Sequence, residues 1–261
     1  MTNLKKIKSY WEEQAKIYGS DPSATTQDVF LRKIEINYIC DFLSGFDTPL
    51  KVLDIGCGNG YSTLQYKKRV NIHSYVGADY SEKMIQNAKR ELKKEELSGV
   101  VFKVMDVMKL SEYKEKFDII ISDRCLINLG GSENRRKAVS EIFKCLYKSG
   151  KYLLIENFIE GQIEFNKLRE QQGLDEIQVR WHNSFFSKDE LERVIKNYFI
   201  MDRFENISSL YYLATRVIYS KICMIEEREP DYENKIYEVA SELPFIGNFG
   251  PVCACVLERK S

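Results

Sequence analysis

The chain has 261 residues, in which 39 Lys and Arg are matched by 39 Asp and Glu, so its formal net charge is zero. A chain without cationic excess is poorly suited to gripping a nucleic-acid backbone, because that affinity scales with the phosphates neutralised. A hydrophobic share of 44% excludes a disordered chain and suits one large domain. The seven cysteines are odd in number, lack a C-x-x-C pair and read as small buried residues of a reducing compartment. Two histidines are too few for the usual zinc sites, and no metal is expected. The N-terminus has no apolar h-region, and no run approaches the ~20 apolar residues of a membrane span. A cytoplasmic protein without a membrane span is expected.

In chain order, Leu4, Ile7, Trp11, Ala15 and Tyr18 recur at spacings of three and four and predict an amphipathic helix over about 3–18. The break SDPSATTQD (20–28) is rich in capping residues. Phe30, Ile34 and Tyr38 then mark a second helix from about Gln27 to Leu43, stopped by Gly45 and Pro49. From Lys51 short apolar runs alternate with helical stretches. They are KVLDIG (51–56), a helix over 60–69, SYVGAD (74–79), a helix over 81–95, VVFKVMD (100–106), FDIIISD (117–123), a helix over 132–147 and KYLLIEN (151–157). Such alternation predicts an α/β fold, with a mostly parallel sheet, helices on both faces and right-handed crossovers.

SKDELERVIKN (187–197) reads as a further helix, and YFIMDRFEN (198–206) and VCACVLER (252–259) read as two strands paired antiparallel at the sheet edge. Between them, residues 208–250 carry Leu210, Leu213, Val217, Ile236, Val239 and Ala240 at helical spacing. That stretch is too long for a plain loop and is expected to be a helical insertion that covers something.

The informative residues begin with VLDIGCGNG (52–60), a buried strand running into Gly56, Cys57, Gly58, Asn59 and Gly60 before a helix. Glycines there let backbone approach a ligand and take up positive φ. Asp79 ends the second strand about 20 residues on, where a carboxylate can accept bonds from both hydroxyls of a ribose. Asp106 ends the third strand, where it can meet an adenine amino group. Each acid is equally suited to capping a helix or forming a turn. The dinucleotide fingerprint G-x-G-x-x-G would need a third glycine where Tyr61 stands, which argues against a nicotinamide-dependent dehydrogenase.

The run VLDIGCGNG, VGADYSEKM (76–84), VMDVMKL (104–110) and FDIIISD resembles the class I S-adenosylmethionine-dependent methyltransferases, over about Lys51 to Asn157 plus the terminal strand pair. That resemblance implies a doubly wound, Rossmann-like fold with a seven-stranded sheet whose last strand is antiparallel. It divides a single domain into a helical N-terminal lid (1–48), a cofactor-binding core (49–207 and 251–261) and a helical cap (208–250). It implies S-adenosylmethionine as cofactor and S-adenosylhomocysteine as product. Gly56, Cys57, Gly58 and Asn59 would lie against the methionine part, Asp79 would take the ribose, and Tyr80 and Met84 would pack the adenine. Asp106 and the Val107 backbone would read its edge, Asp123 would close the site from the fourth strand, and Arg32 would pair with the methionine carboxylate. Met84 as a core methionine and Arg32 as an exposed helix residue are the plain alternatives.

The fourth strand ends in SDRCLINLGG (122–131), without the Asn/Asp-Pro-Pro-aromatic motif of enzymes that methylate base amino groups. Arg124, at the mouth, is suited to bidentate capture of a phosphate or carboxylate, or to a salt bridge that orders its loop. Arg180, Trp181 and His182 fall together in VRWHNSFF (179–186), and the insertion adds Tyr211, Tyr212 and Arg216. Interleaved Tyr, Trp and Arg suit a lid over a polar ring or an anion, or ordinary packing. Tyr18 would belong to the same lid.

YWEEQAKIYG, DRCLINL, RWHN and LYYLATRVIY resemble methyltransferases of bacterial surface-polysaccharide modification. That narrower match implies O-methylation of a small acceptor, namely a sugar, a sugar nucleotide or a phosphorylated or phosphoramidate group. N-methylation of a small amine, or a non-catalytic cofactor-binding partner protein, are the alternatives. His182 is the candidate general base, and Asp123, Glu156 and Asn157 are candidate oxygen ligands for a metal-assisted version.

Overall fold

The computed structural model describes residues 3–47 and 49–261, so Met1, Thr2 and Thr48 of the expected N-terminal lid lie outside the described residues. The alternation of apolar runs and helices becomes a seven-stranded sheet. Its strands are β1 (Lys51–Ile55), β2 (Ser74–Asp79), β3 (Val100–Val104), β4 (Phe117–Asp123), β5 (Leu146–Asn157), β6 (Phe199–Asn206) and β7 (Val252–Arg259), in the order β3-β2-β1-β4-β5-β7-β6. The first five are parallel, and β7 inserts between β5 and β6 antiparallel to both. The order reverses between β1 and β4, so a crevice opens at the carboxyl ends of those strands, where ligands bind in open α/β sheets.

Both sheet faces are covered. One packs on α2 (Val29–Ser44), α3 (Tyr61–Arg69) and α4 (Glu82–Glu95), through Ile39, Leu64, Ile85 and Phe102. The other packs on α5 (Ser132–Cys145) and α7 (Lys188–Ile195), through Ile142, Leu191 and Tyr152. The helices start where the sequence supplies caps: Asp28, Ser81 and Ser187 accept bonds from the amides of Leu31, Met84 and Glu190. Asp189 and Glu190 add negative charge to the first turn of α7, where it complements the helix dipole.

The N-terminal helix α1 (Asn3–Tyr18) crosses the carboxyl ends of the strands and docks on α4, burying Ala15 and Met84 together with Trp11 and Tyr18. Asn87 Nδ2 donates to the Ala15 carbonyl (2.9 Å), and the Glu82 amide donates to Glu12 (2.9 Å). The 208–250 insertion is helical, as its periodicity predicts. It comprises α8 (Ser209–Tyr212), a π-helical segment (Leu213–Ile218), α9 (Tyr219–Ile225) and α10 (Lys235–Ala240). Thr215 Oγ1 donates to the Tyr211 carbonyl (2.6 Å) inside the wide turn. Such π segments occur mostly as single turns within α-helices and often at functional sites.

Two elements depart from the sequence reading. A helix, α6 (Ile159–Gln171), follows β5 where none is expected. Its buried positions are Gly161, Gln162, Phe165 and Arg169, so the inward face lacks the apolar stripe by which helices are recognised. Gly161 is required there, because a Cβ would stand 2.1 Å from the Gly250 carbonyl oxygen. Strand β5 also begins at Leu146, five residues before the predicted start at 151, with a register shift against β4 between Phe117 and Ile119. From α6 a strap (172–187) returns to α7, anchored by Gln162 Nε2 donating to the Ile177 carbonyl (2.7 Å).

Candidate functional site

The β1–α3 turn is held against the end of β2 by the Gly56 and Cys57 amides, which donate to the Ala78 carbonyl at 2.7 and 3.1 Å. Gly56 (φ +74°) and Gly58 (φ +55°) adopt left-handed backbone that disfavours side chains. A Cβ on Gly56 would lie 2.7 Å from Cys125 Sγ, so the glycine also permits close approach of the β4 loop. Asp79 stands beneath the turn. Its Oδ2 accepts from the Gly58 amide (3.0 Å) and its Oδ1 from the Ser81 amide (2.8 Å). Burial pushes its carboxyl up to about 6, against the pull of those two bonds. Asp106 accepts from the Met108 amide (2.9 Å) and so caps the short helical turn after β3.

A cavity of about 740 Å³ runs across the ends of the strands. Its wall includes Gly56, Cys57, Gly58, Asp79, Tyr80, Met84, Asp106 and Val107. Asp123, Arg124, Asn157 and Arg32 also line it, as do Arg180, His182 and the linked group of Arg169, Arg216 and Tyr212. Pockets for small molecules and cofactors run from roughly 300 to 1,000 Å³, so the space admits a nucleoside-sized ligand with more beside it.

Four expected site residues stand outside this wall. Asn59 spends its amide on the carbonyls of Gly19 (3.2 Å) and Asp21 (2.8 Å), clasping the end of the lid to the glycine turn. Tyr18 packs into the α1–α4 contact around Met84. Trp181 is 53% exposed on the outer side of α1, with Lys6 Nζ 5.2 Å from its ring centroid. Tyr211 is buried behind the wall with its O–H donating to Asp28.

Arg124 takes the salt-bridge alternative. Its backbone sits at φ +49°, fixed by its amide donating to the Ile155 carbonyl (2.8 Å). Its Nη2 donates to Glu35 Oε2 (3.0 Å), and its Nε lies 2.9 Å from Glu35 Oε1 and 3.7 Å from Asp123 Oδ1. Glu35, on α2, is fully buried; burial raises its carboxyl above the ordinary range, and the guanidinium opposes that rise. Arg32, also on α2, donates to Thr25 Oγ1, with burial lowering its pKa.

The cap contributes an aromatic box around one cation. The Arg216 guanidinium carbon lies 5.6, 4.6 and 5.1 Å from the ring centroids of Tyr212, Tyr232 and Tyr237. Its Nη2 pairs with Asp28 Oδ2, and its Nη1 donates to the Tyr237 hydroxyl (2.8 Å). His182 is 5% exposed, lines the cavity, and has no hydrogen-bond partner for Nδ1 among the described residues. Burial, with Arg180 nearby, lowers its pKa to about 4, so the imidazole is neutral near pH 7. Of the three candidate metal ligands, Glu156 is spent: its carboxylate accepts from the amides of Cys125 (3.0 Å), Leu126 (2.6 Å) and Ile127 (3.3 Å). It shapes the post-β4 loop instead.

Asp28, Glu35, Arg169, Tyr232 and Tyr237 carry this site without having been singled out. Asp28 and Glu35 look like ordinary cap and helix residues in one dimension, and Arg169 sits on the helix that lacks an apolar stripe.

A family model described as a methyltransferase domain matches residues 47–207. The demethylmenaquinone methyltransferase of Leptospira interrogans is 32% identical over 115 residues, covering 43% of this chain and 45% of that protein. The malonyl-[acyl-carrier protein] O-methyltransferase of Bacillus cereus is 26% identical over 151 residues, covering 56% of this chain and 53% of that protein. The chain therefore spans about half the length of the curated relatives it matches. The crystal structure of magnesium protoporphyrin IX methyltransferase from Synechocystis, with bound S-adenosylmethionine, superposes with a TM-score of 0.61 at 14% identity, covering 100% of this chain and 98% of that one. At that identity the likeness is one of fold.

Proposed function

The chain belongs to the methyltransferase-domain family and uses S-adenosylmethionine, and from that premise we propose that it methylates an oxygen of a small polar acceptor seated beneath the helical cap. The acceptor class is a sugar, a sugar nucleotide or a phosphorylated or phosphoramidate group of bacterial surface-polysaccharide synthesis. One observation carries this reading. The cavity that takes in the glycine turn is also walled by Arg169, Arg180, Arg216, Asn157 and Tyr212. Guanidinium groups in such a wall favour polar and anionic ligands and disfavour hydrocarbon.

The cradle suits the cofactor. Gly56 and Gly58 keep the turn free of side chains, and Asp79, already holding the Gly58 amide, has lone pairs left for two ribose hydroxyls. Asp106 and the Val107 amide would take the adenine edge, Tyr80 and Met84 would pack its faces, and Asp123 and Arg32 would hold the methionine ammonium and carboxylate. When bound, S-adenosylmethionine supplies an electrophilic methyl group on a sulfonium. The work of the protein is to hold the acceptor oxygen in line with that methyl and to exclude water, which positioning and the docked α1 lid accomplish. His182, with Nδ1 unpartnered among the described residues, takes the proton that the acceptor hydroxyl gives up, and the burial that lowers its pKa to about 4 makes it a weaker base than an ordinary histidine.

The test is transfer of tritiated methyl from S-adenosylmethionine to a panel of sugars, sugar phosphates and sugar nucleotides by the full chain. Label in an alkali-stable methyl ether supports the reading. Label in an amine overturns the oxygen assignment. Binding of S-adenosylhomocysteine without transfer to any panel member or cell extract favours the non-catalytic partner.

A further inference from the structure

One arginine in the cavity wall keeps an unspent donor and has no ion pair among the described residues. Arg169, on α6, is 8% exposed and lines the cavity. Its Nε donates to the Asp175 carbonyl (2.7 Å) and its Nη1 to the Arg216 carbonyl, which leaves Nη2 without a hydrogen-bond partner among the described residues. No carboxylate among the described residues forms an ion pair with it, whereas Arg216 beside it has Asp28. That carboxylate is already shared, since Asp28 also accepts from the Tyr211 hydroxyl and the Leu31 amide. Burial and the charge of Arg216 push the Arg169 pKa down, and the charge of Asp175 opposes them without forming an ion pair.

A brace between two carbonyls leaves the Arg169 charge without a carboxylate in contact among the described residues, and a buried cation is stabilised by an anion in contact. The arrangement is otherwise well ordered. Three tyrosine rings hold the Arg216 guanidinium in place, and Phe165 and Tyr212 (ring centroids 5.3 Å apart) pack α6 against the cap. An oxyanion entering the cavity would find N–H donors fixed in advance and would supply the missing negative charge.

We propose that Arg169 and Arg216 form an oxyanion subsite that holds a phosphate or carboxylate carried by the methyl acceptor, an inference that rests on the acceptor reading above. The acceptor is then an anionic hydroxyl compound, anchored by its charge at α6 and the cap while its hydroxyl is presented to the methyl group. Asp28 occupies Arg216 until the anion arrives and competes with it.

The full chain, saturated with S-adenosylhomocysteine, is titrated calorimetrically with inorganic phosphate and separately with acetate, at constant ionic strength set by chloride. Saturable one-site binding of at least one anion is expected, weakened at least tenfold in Arg169→Gln and tightened severalfold in Asp28→Asn, which removes the competing charge. Selective binding of phosphate supports a phosphorylated acceptor, and selective binding of acetate a carboxylated one. Binding of neither anion, or equal binding in Arg169→Gln, overturns the subsite. If Arg169→Gln does not fold, Asp28→Asn decides against the unmodified chain: unchanged or weaker anion binding rejects the proposal. The preceding S-adenosylhomocysteine titration reports the cofactor reading separately.

Discussion

Tyr10 of the N-terminal helix stacks on His182 of the strap, with ring centroids 4.5 Å apart and planes inclined by 24°. Trp11 and Trp181 meet the same imidazole edge-on, each at 5.4 Å. Trp11 Nε1 also donates to Asn128 Oδ1 (3.2 Å) in the loop after β4. One histidine thus joins the N-terminal helix, the strap and the cavity wall, and its protonation state bears on the docking of that helix as well as on the proposed proton transfer.

Lid docking is expected to weaken with acid. Docked, His182 has a pKa near 4, against 6.5 for an unperturbed histidine. The undocked lid therefore takes up a proton first as pH falls, and docking loses stability from about pH 6.5 down to about 4. The chain has two tryptophans, and both touch this ring, so intrinsic emission reports the contact directly. A change in emission across that window, abolished in His182→Leu, is the expected result. Constant emission down to global acid unfolding would reject the coupling.

Substituting the proposed base and the proposed ribose acceptor should separate turnover from affinity. His182→Ala is expected to lower kcat by about 10²-fold, the lower end of general acid–base contributions because a pKa near 4 makes this imidazole a weak base, with little change in cofactor Kd. Asp79→Ala removes a carboxylate whose charged hydrogen bonds are each worth about 1.5–3 kcal/mol, so the cofactor Kd should rise at least tenfold. Single-turnover kinetics alongside equilibrium titration separates the two effects. Unchanged turnover removes His182 from the mechanism.

Cofactor affinity should depend on pH through Asp79. Its carboxyl, raised by burial to about 6, must be ionised to accept both ribose hydroxyls, so binding below pH 6 releases a proton. Affinity for S-adenosylhomocysteine is expected to fall by up to about tenfold per unit below pH 6 and to be flat above pH 7. Titration in two buffers of different ionisation enthalpy measures the proton released. An affinity unchanged from pH 5 to 8 would count against Asp79 as the ribose acceptor.

Glu35 should matter more for the fold than for cofactor contact. It is absent from the cavity wall, yet it holds the Arg124 side chain at the centre of that wall. Removing one partner of a buried pair typically destabilises by about 3–5 kcal/mol, because the other charge is left uncompensated. Glu35→Ala is expected to lower Tm accordingly, and Glu35→Gln to recover part of the loss while keeping the hydrogen bond to Nη2. Thermal unfolding of both variants checks this; an unshifted Tm in the alanine variant would show the pair to be dispensable.

The sheet and its crevice were readable because buried parallel strands are written as β-branched runs, and because Gly56, Gly58, Asp79 and Asp106 fall at successive strand ends. The distribution of the arginines was not. Whether Arg124 meets a ligand or a carboxylate depends on Glu35, 89 residues earlier in the chain, and no local pattern joins them. Trp181 and Tyr211 were placed in the site on residue type, but type does not tell the inside of a lid from its outside. Helix α6 escaped because Gln162 and Arg169 occupy the positions where leucines would normally announce a buried face.

The π segment at Leu213–Ile218 gives the cap a place to absorb a change in chain length. A wide turn takes up one residue more than an α-helical turn while keeping the helix on either side in phase. Deleting one residue there would let the turn close to ordinary α-helix and leave Tyr219 and Cys223 facing inward. The same deletion in α9 would rotate everything after it by about 100° and carry buried positions such as Cys223 outward. Among relatives, a one-residue gap inside the turn is therefore expected to spare the packing of the cap, whereas a gap in the flanking helix disrupts it more surely than any replaced side chain.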